Sequence, residues 1–292
     1  MTQVDTIDWN TIGKCNLRCL HCYGPDKRLG ALSVDTMLSM VDRMNEMNVK
    51  RVVLTGGEPL ITPGIEQILA RLSGYEIEIA LSTNGTFVDG MWDVIAKFVT
   101  SLNIPLDGHT PELHSRSRMD TSTFHTNMAI LARYRNSPQN RPEKLRVGTV
   151  YSKATQGQMT AIARRLLPFA SFITTWKLYE LIDHEMQQEL RAPIQHEPGT
   201  FEGEVQALFE NDGLRALHSK IMAASASSRY RAYFMINPKG LVVVPTQIDG
   251  VRVEKVIGHF VKDPVEDLLF QWSKCVDDSN YHRNHNLHYG KK

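Results

Sequence analysis

Three of the four cysteines in this 292-residue sequence lie within eight residues of one another, at Cys15, Cys19 and Cys22. Three thiolates at this spacing cannot face one point from a strand, but a short loop can wrap them around a small soft-metal centre. Thiolate sulfur is the ligand type that selects zinc or an iron–sulfur cluster. If the centre is a [4Fe-4S] cluster, three cysteines leave one iron open to a further ligand.

Two other interpretations of the cysteines stay open at this point. His21 could complete a Cys3His zinc site, which is a common structural set, although His21 directly precedes Cys22 and adjacent residues rarely point at one metal. The cysteines could also be plain reduced thiols in a loop. A second motif is needed to decide among a cluster, a zinc ion and free thiols.

The neighbouring elements place the cysteines at the end of a strand. Residues 6–12 alternate apolar and polar side chains and then reach Gly13, which predicts a strand that delivers the cysteine loop at its carboxyl end. A second strand is predicted over 51–55, and the sequence Gly-Gly-Glu-Pro follows it at 56–59. Two glycines and a proline after a β-branched run predict a turn whose backbone can approach a ligand closely.

Together, Cys-x3-Cys-x2-Cys after the first strand and Gly-Gly-Glu-Pro after the second resemble the radical S-adenosylmethionine (radical SAM) superfamily. The resemblance implies that Cys15, Cys19 and Cys22 hold a [4Fe-4S] cluster whose open iron is chelated by the amino and carboxylate groups of S-adenosylmethionine (SAM). Electron transfer from the reduced cluster then cleaves SAM to methionine and a 5′-deoxyadenosyl radical, which abstracts a hydrogen atom from the substrate. It also implies an electron donor such as flavodoxin or ferredoxin.

The resemblance extends to residues that would position SAM. Thr-Asn-Gly at 83–85 and Asp-Gly at 107–108 match the family, although Pro105 stands where relatives have a serine. Relatives often carry a later arginine that pairs with the SAM carboxylate, a contact that suits a guanidinium. Arg118 is the candidate and Arg116 the reserve, with an exposed arginine on a solvated turn as the alternative. The expected SAM-binding residues are Gly56, Gly57, Glu58, Pro59, Asn84, Asp107, Arg118 and Tyr179.

Strands alternate with helices as far as residue 183, which predicts an α/β fold with a parallel sheet. Six such units fit the partial (β/α)6 TIM-like barrel that the resemblance implies, with its reactive centre at the carboxyl ends of the strands. We expect this barrel over residues 1–183, with the cluster loop at 13–30. The residues 109–118 are predicted as a polar connection. An extension over 184–292 is expected to cover the barrel mouth. It shows helical spacing at 201–223 that is interrupted at 211–213, then a β-hairpin, a strand near 256–258 and further helices.

The hairpin and helix of this extension resemble the "twitch" or SPASM regions that hold auxiliary clusters in many relatives. Such a region needs several cysteines, and only Cys275 remains after Cys22. We therefore predict a single cluster in this chain. The extension is expected to be a degenerate, cluster-free lid and substrate platform.

Several residues are candidates for the reaction itself. Cys275 could donate a hydrogen atom to the substrate radical, as in radical SAM epimerases, or it could be a remnant of a lost cluster site or a small buried apolar residue. Tyr23 could line the active site or cover the cluster. Glu180, followed by Asp183 and His184, could act as an acid, a base or a substrate anchor, or lie in a solvated loop. His282, His285 and His288 form either a metal site or a frayed tail.

Composition excludes some classes of function. The net charge is +1 and no basic run exceeds a pair, so the sequence does not predict a surface for duplex nucleic acid. No run of about 18 apolar residues and no signal peptide are found, so we expect no membrane association and a cytoplasmic location. An apolar fraction of 42% is ordinary for a folded domain with a sizeable core.

The sequence therefore predicts a radical SAM enzyme that modifies a peptide or a small natural product by epimerisation, dehydrogenation or bond formation between carbon and another atom. A nucleotide-modifying enzyme of viperin-like type is the alternative within the family. A non-catalytic zinc or redox-sensing module is the alternative of another class.

Overall fold

A computed structural model describes residues 3–182, 194–249 and 251–286 of the chain. A single ten-stranded sheet carries the fold. Its strands are β1 (Thr6–Ile12), β2 (Arg51–Gly56), β3 (Glu78–Ser82), β4 (Ser101–Pro105), β5 (Lys144–Tyr151), β6 (Ile173–Glu180), β7 (Ile221–Ala224), β8 (Phe234–Ile236), β9 (Leu241–Ile248) and β10 (Val251–His259). The α-helices are α1 (Val34–Glu46), α2 (Ile65–Gly74), α3 (Trp92–Phe98), α4 (Pro111–Arg118), α5 (Ser122–Asn136), α6 (Met159–Leu166), α7 (Thr200–Glu210), α8 (Arg215–His218), α9 (Val265–Cys275) and α10 (Asp278–Asn286).

Strands β1 to β6 pair in chain order, all parallel, as the six strand–helix units predict. Strand β7 adds in parallel beside β6, and β8 adds in parallel on the other side of β1. Strands β9 and β10 continue from β8 as antiparallel neighbours. The mixed α/β fold with a six-stranded parallel partial barrel and an antiparallel extension is confirmed.

The two faces of the sheet differ in polarity, and β1 shows this most simply. Ile7 and Trp9 are fully buried, and they belong to the same apolar core as Met37 and Met40 of α1. Their neighbours Asp8 and Asn10 project from the opposite face and line a cavity. Parallel strands covered on both faces are ordinarily apolar throughout, so polar residues on the inner face indicate a ligand cavity rather than a packed interior.

Two expectations about secondary structure were wrong. The stretch 109–118 contains helix α4, which begins because the Thr110 hydroxyl accepts a hydrogen bond from Leu113 N at 3.3 Å and Pro111 occupies the first turn. The helical spacing at 201–223 breaks at 211–213 as expected, since α7 stops at Glu210 and Asn211 caps a 3-10 turn, but it does not continue to residue 223. The last residues of that stretch form β7, which pairs with β6.

The hairpin of the extension lies at the expected place. Gly240 N donates to Asn237 O at 2.9 Å, and Gly240 has the positive φ of 78° that a tight turn favours in glycine. Strand β10 is longer than predicted from residues 256–258. Strands β7 and β8, which follow residue 183, pair with strands of the barrel. The sheet therefore continues from the expected barrel region, 1–183, into the expected extension, 184–292. The division of the chain into these two regions remains a prediction. Among the described residues, no helix is long and apolar enough to span a bilayer.

Asn127 of α5 ties together the carboxyl ends of β3 and β4. Its side-chain amide is completely buried and donates to Asn84 O at 3.3 Å and to Pro105 O at 2.9 Å. We predict that Asn127→Ala lowers the free energy of unfolding by about 2 kcal/mol, because both carbonyls lose a buried donor. Urea denaturation measures this loss. Asn136→Ala at the exposed end of the same helix is the matched control, and an equal loss in both variants would contradict this role.

Candidate active site

The loop after β1 brings all three cysteines of the motif to one cavity. Cys15, Cys19 and Cys22 are half-buried free thiols that line this cavity of about 330 Å³. The loop closes on itself because Gly13 N and Lys14 N both donate to Leu29 O at 3.1 Å. This backbone closure brings together the two ends of the loop that carries the three sulfurs.

The donor set fits an iron–sulfur cluster. Among the described residues, no three His, Cys, Asp or Glu side chains converge closely enough to hold a single metal ion. A cube of four irons instead needs sulfurs spread around a larger centre. His21 turns its Nε2 to within 3.9 Å of Asp107 Oδ2. Three sulfurs around a shared cavity, with the histidine facing a carboxylate, therefore suit a cluster better than a Cys3His ion.

Burial raises the pKa of the Cys15 thiol, and it raises the pKa of Cys19 to about 11, where Arg118 opposes the effect and the other thiols add to it. With no metal centre bound, these raised pKa values leave the Cys15 and Cys19 thiols protonated at neutral pH. A bound metal centre deprotonates its thiol ligands outright. Loading of a cluster is therefore expected to release protons.

The Gly-Gly-Glu-Pro turn meets the cysteine loop through its backbone. Gly57 N donates to Ile12 O at 2.7 Å, and Glu58 N donates to Lys14 O at 2.9 Å. A Cβ atom on Gly57 would lie 2.0 Å from Lys14 O, so only glycine allows this approach. Gly56, with φ of 129°, also requires glycine. Both glycines line the cavity, as expected of residues that present backbone to a ligand.

Glu58 and Pro59 stand behind the cavity wall. The completely buried Glu58 carboxylate accepts hydrogen bonds from Leu60 N at 3.2 Å, Thr83 Oγ1 at 2.7 Å and Asn84 N at 2.8 Å. Burial raises the pKa of this carboxyl, while these three donors act against the rise. Pro59 begins a short 3-10 turn. Neither residue lines the cavity, so Glu58 joins the turns after β2 and β3, and its expected SAM contact remains a prediction.

Asn84 and Arg118 face the cavity beside the cysteines. Asn84 Nδ2 donates to Asn16 Oδ1 at 2.8 Å and lies 3.8 Å from Cys15 Sγ. Arg118 Nη1 lies 4.0 Å from Cys19 Sγ. Arg116, one turn earlier in α4, is exposed and does not line the cavity. The structure thus brings Arg118, and not Arg116, to the cluster loop.

Asp107 positions Arg118. Its carboxylate is completely buried, with Oδ2 accepting from Arg118 Nε at 2.5 Å and Oδ1 from Val150 N at 2.7 Å. Burial alone would raise the pKa of this carboxyl, but Arg118 together with His21 and His114 keeps it below the usual value. The ion pair leaves the Nη atoms of Arg118 to face the cavity. Asp107 therefore positions the Arg118 side chain and does not itself line the cavity.

Of the remaining residues expected at the site, some line the cavity and others lie outside it. Tyr23 and Tyr179 line the cavity, as does Pro105 in the place of the family serine. Glu180 does not, because its side chain lies on the opposite face of β6, where it accepts from Ala226 N at 2.6 Å and lies 3.7 Å from His196 Nε2. An acid–base role for Glu180 at the cavity is therefore not supported.

Cys275 ends helix α9 within the apolar core and is absent from the cavity wall. A hydrogen-atom donor must reach the substrate radical, and this placement does not bring Cys275 to it. Asp183, His184 and His288 lie outside the described residues. His282 is an exposed residue of α10, and His285 follows it in that helix. A metal-binding role for these histidines remains a prediction.

Sequence reasoning missed the charged residues deeper in the barrel. Asp8, Arg146, Lys177, Arg229 and Arg252 all line the cavity. Three of them occupy inward-facing positions within parallel strands, where charged side chains are uncommon. Charged residues within these predicted strands could therefore have indicated a polar cavity inside the barrel. Arg229 and Arg252 reach the cavity through long-range packing, which no local pattern reveals.

Comparison with known proteins agrees with this arrangement. The sequence model of the radical SAM superfamily matches residues 9–148, just under half of the chain. The AdoMet-dependent heme synthase of Methanosarcina barkeri is 28% identical over 130 residues, which cover 42% of this chain and 37% of that protein. The GTP 3′,8-cyclase of Campylobacter fetus is 35% identical over 92 residues, 29% of each chain. The chain thus matches only about a third of the length of these curated relatives.

Among solved structures, Streptococcus suis SuiB bound to the precursor peptide SuiA superposes with a TM-score of 0.71 at 13% identity. The superposition covers 100% of this chain and 68% of SuiB. At this identity the likeness shows a shared fold. It extends through the region after residue 183, where the family model does not reach.

The contact between Gly57 and the cysteine loop provides a test of the site. We predict that Gly57→Ala lowers the iron incorporated per chain by about half or more, because its Cβ would displace the backbone at Lys14 and with it Cys15. Iron analysis after anaerobic reconstitution measures the effect. Gly90→Ala is the matched control, since no atom lies within 4 Å of its Cβ position. Equal iron contents in the two variants would contradict the predicted contact.

Proposed function

Because the chain belongs to the radical SAM superfamily, we propose that it is an enzyme that uses a [4Fe-4S] cluster and SAM to abstract a hydrogen atom from a peptide or small natural product. The observation that carries this proposal is the convergence of Cys15, Cys19 and Cys22 with the Gly56–Gly57 backbone on one cavity. When bound, the cluster and SAM supply the electron and the 5′-deoxyadenosyl group for radical chemistry.

The protein residues hold and orient these groups. The three cysteine thiolates are the cluster ligands. The backbone at Gly56 and Gly57, closely apposed to the cysteine loop, offers polar groups to the SAM amino group. Arg118, fixed by its 2.5 Å ion pair with Asp107, presents guanidinium donors that suit a carboxylate. We propose that SAM lies between the cysteine loop and the carboxyl ends of β2 to β4.

The barrel shields the reacting centre from water. Apolar cavity residues such as Leu17, Ile104 and Val147 are almost completely buried. A water-excluded cavity protects a carbon radical from side reactions. An external electron donor of flavodoxin or ferredoxin type is proposed, because the cluster must be reduced before it can cleave SAM.

Two substrate classes have separate support. A peptide is supported by the likeness in fold to SuiB, which was solved with a precursor peptide. A nucleotide is supported by the relative named GTP 3′,8-cyclase and by the excess of cationic side chains in this cavity. Both would enter through the barrel mouth and meet the charged residues beyond the cysteines.

Cysteine variants test the proposed cluster. Anaerobically reconstituted chain is expected to contain about four irons, to show Fe–S charge-transfer absorbance and to release 5′-deoxyadenosine from SAM after dithionite reduction. Cys15→Ala, Cys19→Ala and Cys22→Ala are each expected to lose the cluster, because each removes a thiolate ligand.

Cys275→Ala serves as the matched control for iron content, since this cysteine lies in the core and not at the cavity. It should retain the iron and the absorbance of the unmodified chain. Zinc without iron, together with no SAM cleavage under dithionite, would contradict the proposed enzyme and favour the non-catalytic module.

A further inference from the structure

Four cationic side chains converge on the cavity from four separate elements, and we refer to them as the basic wall. They are Arg146 of β5, Lys177 of β6, Arg229 of the 3-10 turn that follows β7, and Arg252 of β10. Their exposures are 8, 5, 3 and 2%. By position along the strands, Arg146 and Lys177 lie deeper in the barrel than the cysteine loop, which follows the carboxyl end of β1.

The contacts of Lys177 and Arg229 are with neutral groups. Lys177 Nζ lies 4.9 Å from the centre of the Tyr179 ring, and it makes no ion pair within the described part of the chain. Arg229 donates to the backbone carbonyls of Ser225 and Glu180. These contacts fix the positions of the cations but do not neutralise their charge.

Arg252 shows the same pattern from the other side of the cavity. Its guanidinium lies 4.5 Å from the centre of the Tyr23 ring and 3.7 Å from Met235 sulfur. Its ion pair with Glu254 is long, at 3.9 Å. Within the described residues its buried Nε has no hydrogen-bond acceptor. A buried guanidinium with an unused donor is costly unless a ligand completes it.

Among the described residues that line the cavity, cationic side chains outnumber carboxylates. Asp8 is the only carboxylate among the described residues that line it, and its buried Oδ2 has no hydrogen-bond partner there. Burial raises the pKa of this carboxyl to about 7, although Lys177, Arg51 and Arg252 oppose the rise. Burial, with repulsion from Arg229 and Arg146, lowers the pKa of Lys177 to about 7. Both shifts reflect the cost of burying a charged group in the cavity.

Arg51 does not belong to the wall, although it also lines the cavity. It pairs with Glu78 at 2.6 Å, so its charge is already matched. Arg118 is likewise held by Asp107 near the cysteines. Lys27 lines the cavity at the cysteine loop, where it donates to Leu17 O at 2.6 Å. The positive charge deeper in the barrel is therefore concentrated at the basic wall, away from the residues proposed for the SAM carboxylate.

From this arrangement we infer that the basic wall binds an oxyanion of the substrate, a carboxylate or a phosphate, and holds it deep in the barrel with the reacting carbon toward the cysteine loop. Guanidinium groups suit both anions because they offer paired donors in a plane. Tyr23 and Tyr179 flank the wall and can pack against the body of the substrate. The inference rests on the proposed function and specifies the substrate class of the same site.

Three small probes test this site by calorimetry on the reconstituted chain with SAM present. Phenyl phosphate and benzoate carry the two candidate anions, and benzamide is their neutral counterpart. At pH 7 at least one anion is expected to bind with a Kd about tenfold lower than that of benzamide, equivalent to about 1.4 kcal/mol. Which anion binds more tightly distinguishes a phosphorylated substrate from a carboxylate.

Variants separate a charge effect from a general disturbance. Lys177→Met and Arg252→Gln are each expected to raise the Kd of the preferred anion about fivefold or more. Asp8→Asn should act in the opposite direction and lower that Kd about threefold at pH 8, where the wild-type carboxyl is ionised and repels the anion. Lys97→Gln, at an exposed site on α3, is the control and should leave the Kd unchanged. Thermal unfolding confirms that each variant is folded.

Anions that bind no better than benzamide, or variants that leave the Kd unchanged, would overturn the inference. Binding is measured apart from radical chemistry, so the two proposals fail separately. If the anion binds but no 5′-deoxyadenosine forms on reduction, the proposed function is wrong and the anion site stands. If 5′-deoxyadenosine forms but charge has no effect on binding, only the anion site is wrong.

Discussion

The buried carboxylate of Glu58 is the interaction on which the site depends. It accepts three hydrogen bonds from the turns after β2 and β3, and the backbone of the same residue donates to the cysteine loop after β1. Three strand ends are thereby fixed to one another. A buried carboxylate is stable only when such donors surround it. The position of the cysteines therefore follows from a residue that does not itself face the cavity.

A buried ion pair plays a similar part at the end of β4. Asp107 after β4 holds Arg118 of α4 and also accepts from Val150 of β5. The carboxylates at the strand ends thus lie behind the residues that line the cavity. Glycine backbone, amide and guanidinium groups form the surface that faces a ligand. Deeper in the barrel the balance is reversed, because among the described residues several buried cations share one carboxylate. This difference in charge separates the region proposed for the cofactor from the region proposed for an anionic group.

Local sequence predicted the parts of the molecule that depend on short-range rules. The cysteine loop and the turn at Gly56 and Gly57 were recognised from residue spacing and from the backbone freedom of glycine. The alternation of strands and helices was recognised from the periodicity of apolar residues. The six-stranded parallel barrel that it predicts was confirmed. Helix α4 was missed although Thr110 and Pro111 carry its start signal. Strand β7 was missed because four residues after a helical pattern have no clear period, and only pairing with β6 makes them a strand.

The orientation of side chains was harder to predict than the elements. Glu180 and Lys177 lie on opposite faces of one strand, and the choice of the inner face depends on which side the helices cover. Arg229 and Arg252 come from elements far along the chain and meet Tyr179 and Tyr23 only after folding. Such contacts depend on tertiary packing, so a sequence pattern does not indicate them.

The central claim is that the cysteine loop holds a cluster whose open iron shares this cavity with SAM. Electron paramagnetic resonance of the reduced, reconstituted chain tests it most directly, with spectra recorded before and after SAM is added. SAM that ligates the cluster changes the environment of one iron, so the account predicts a shifted spectrum with SAM. Identical spectra in the presence of saturating SAM would contradict it.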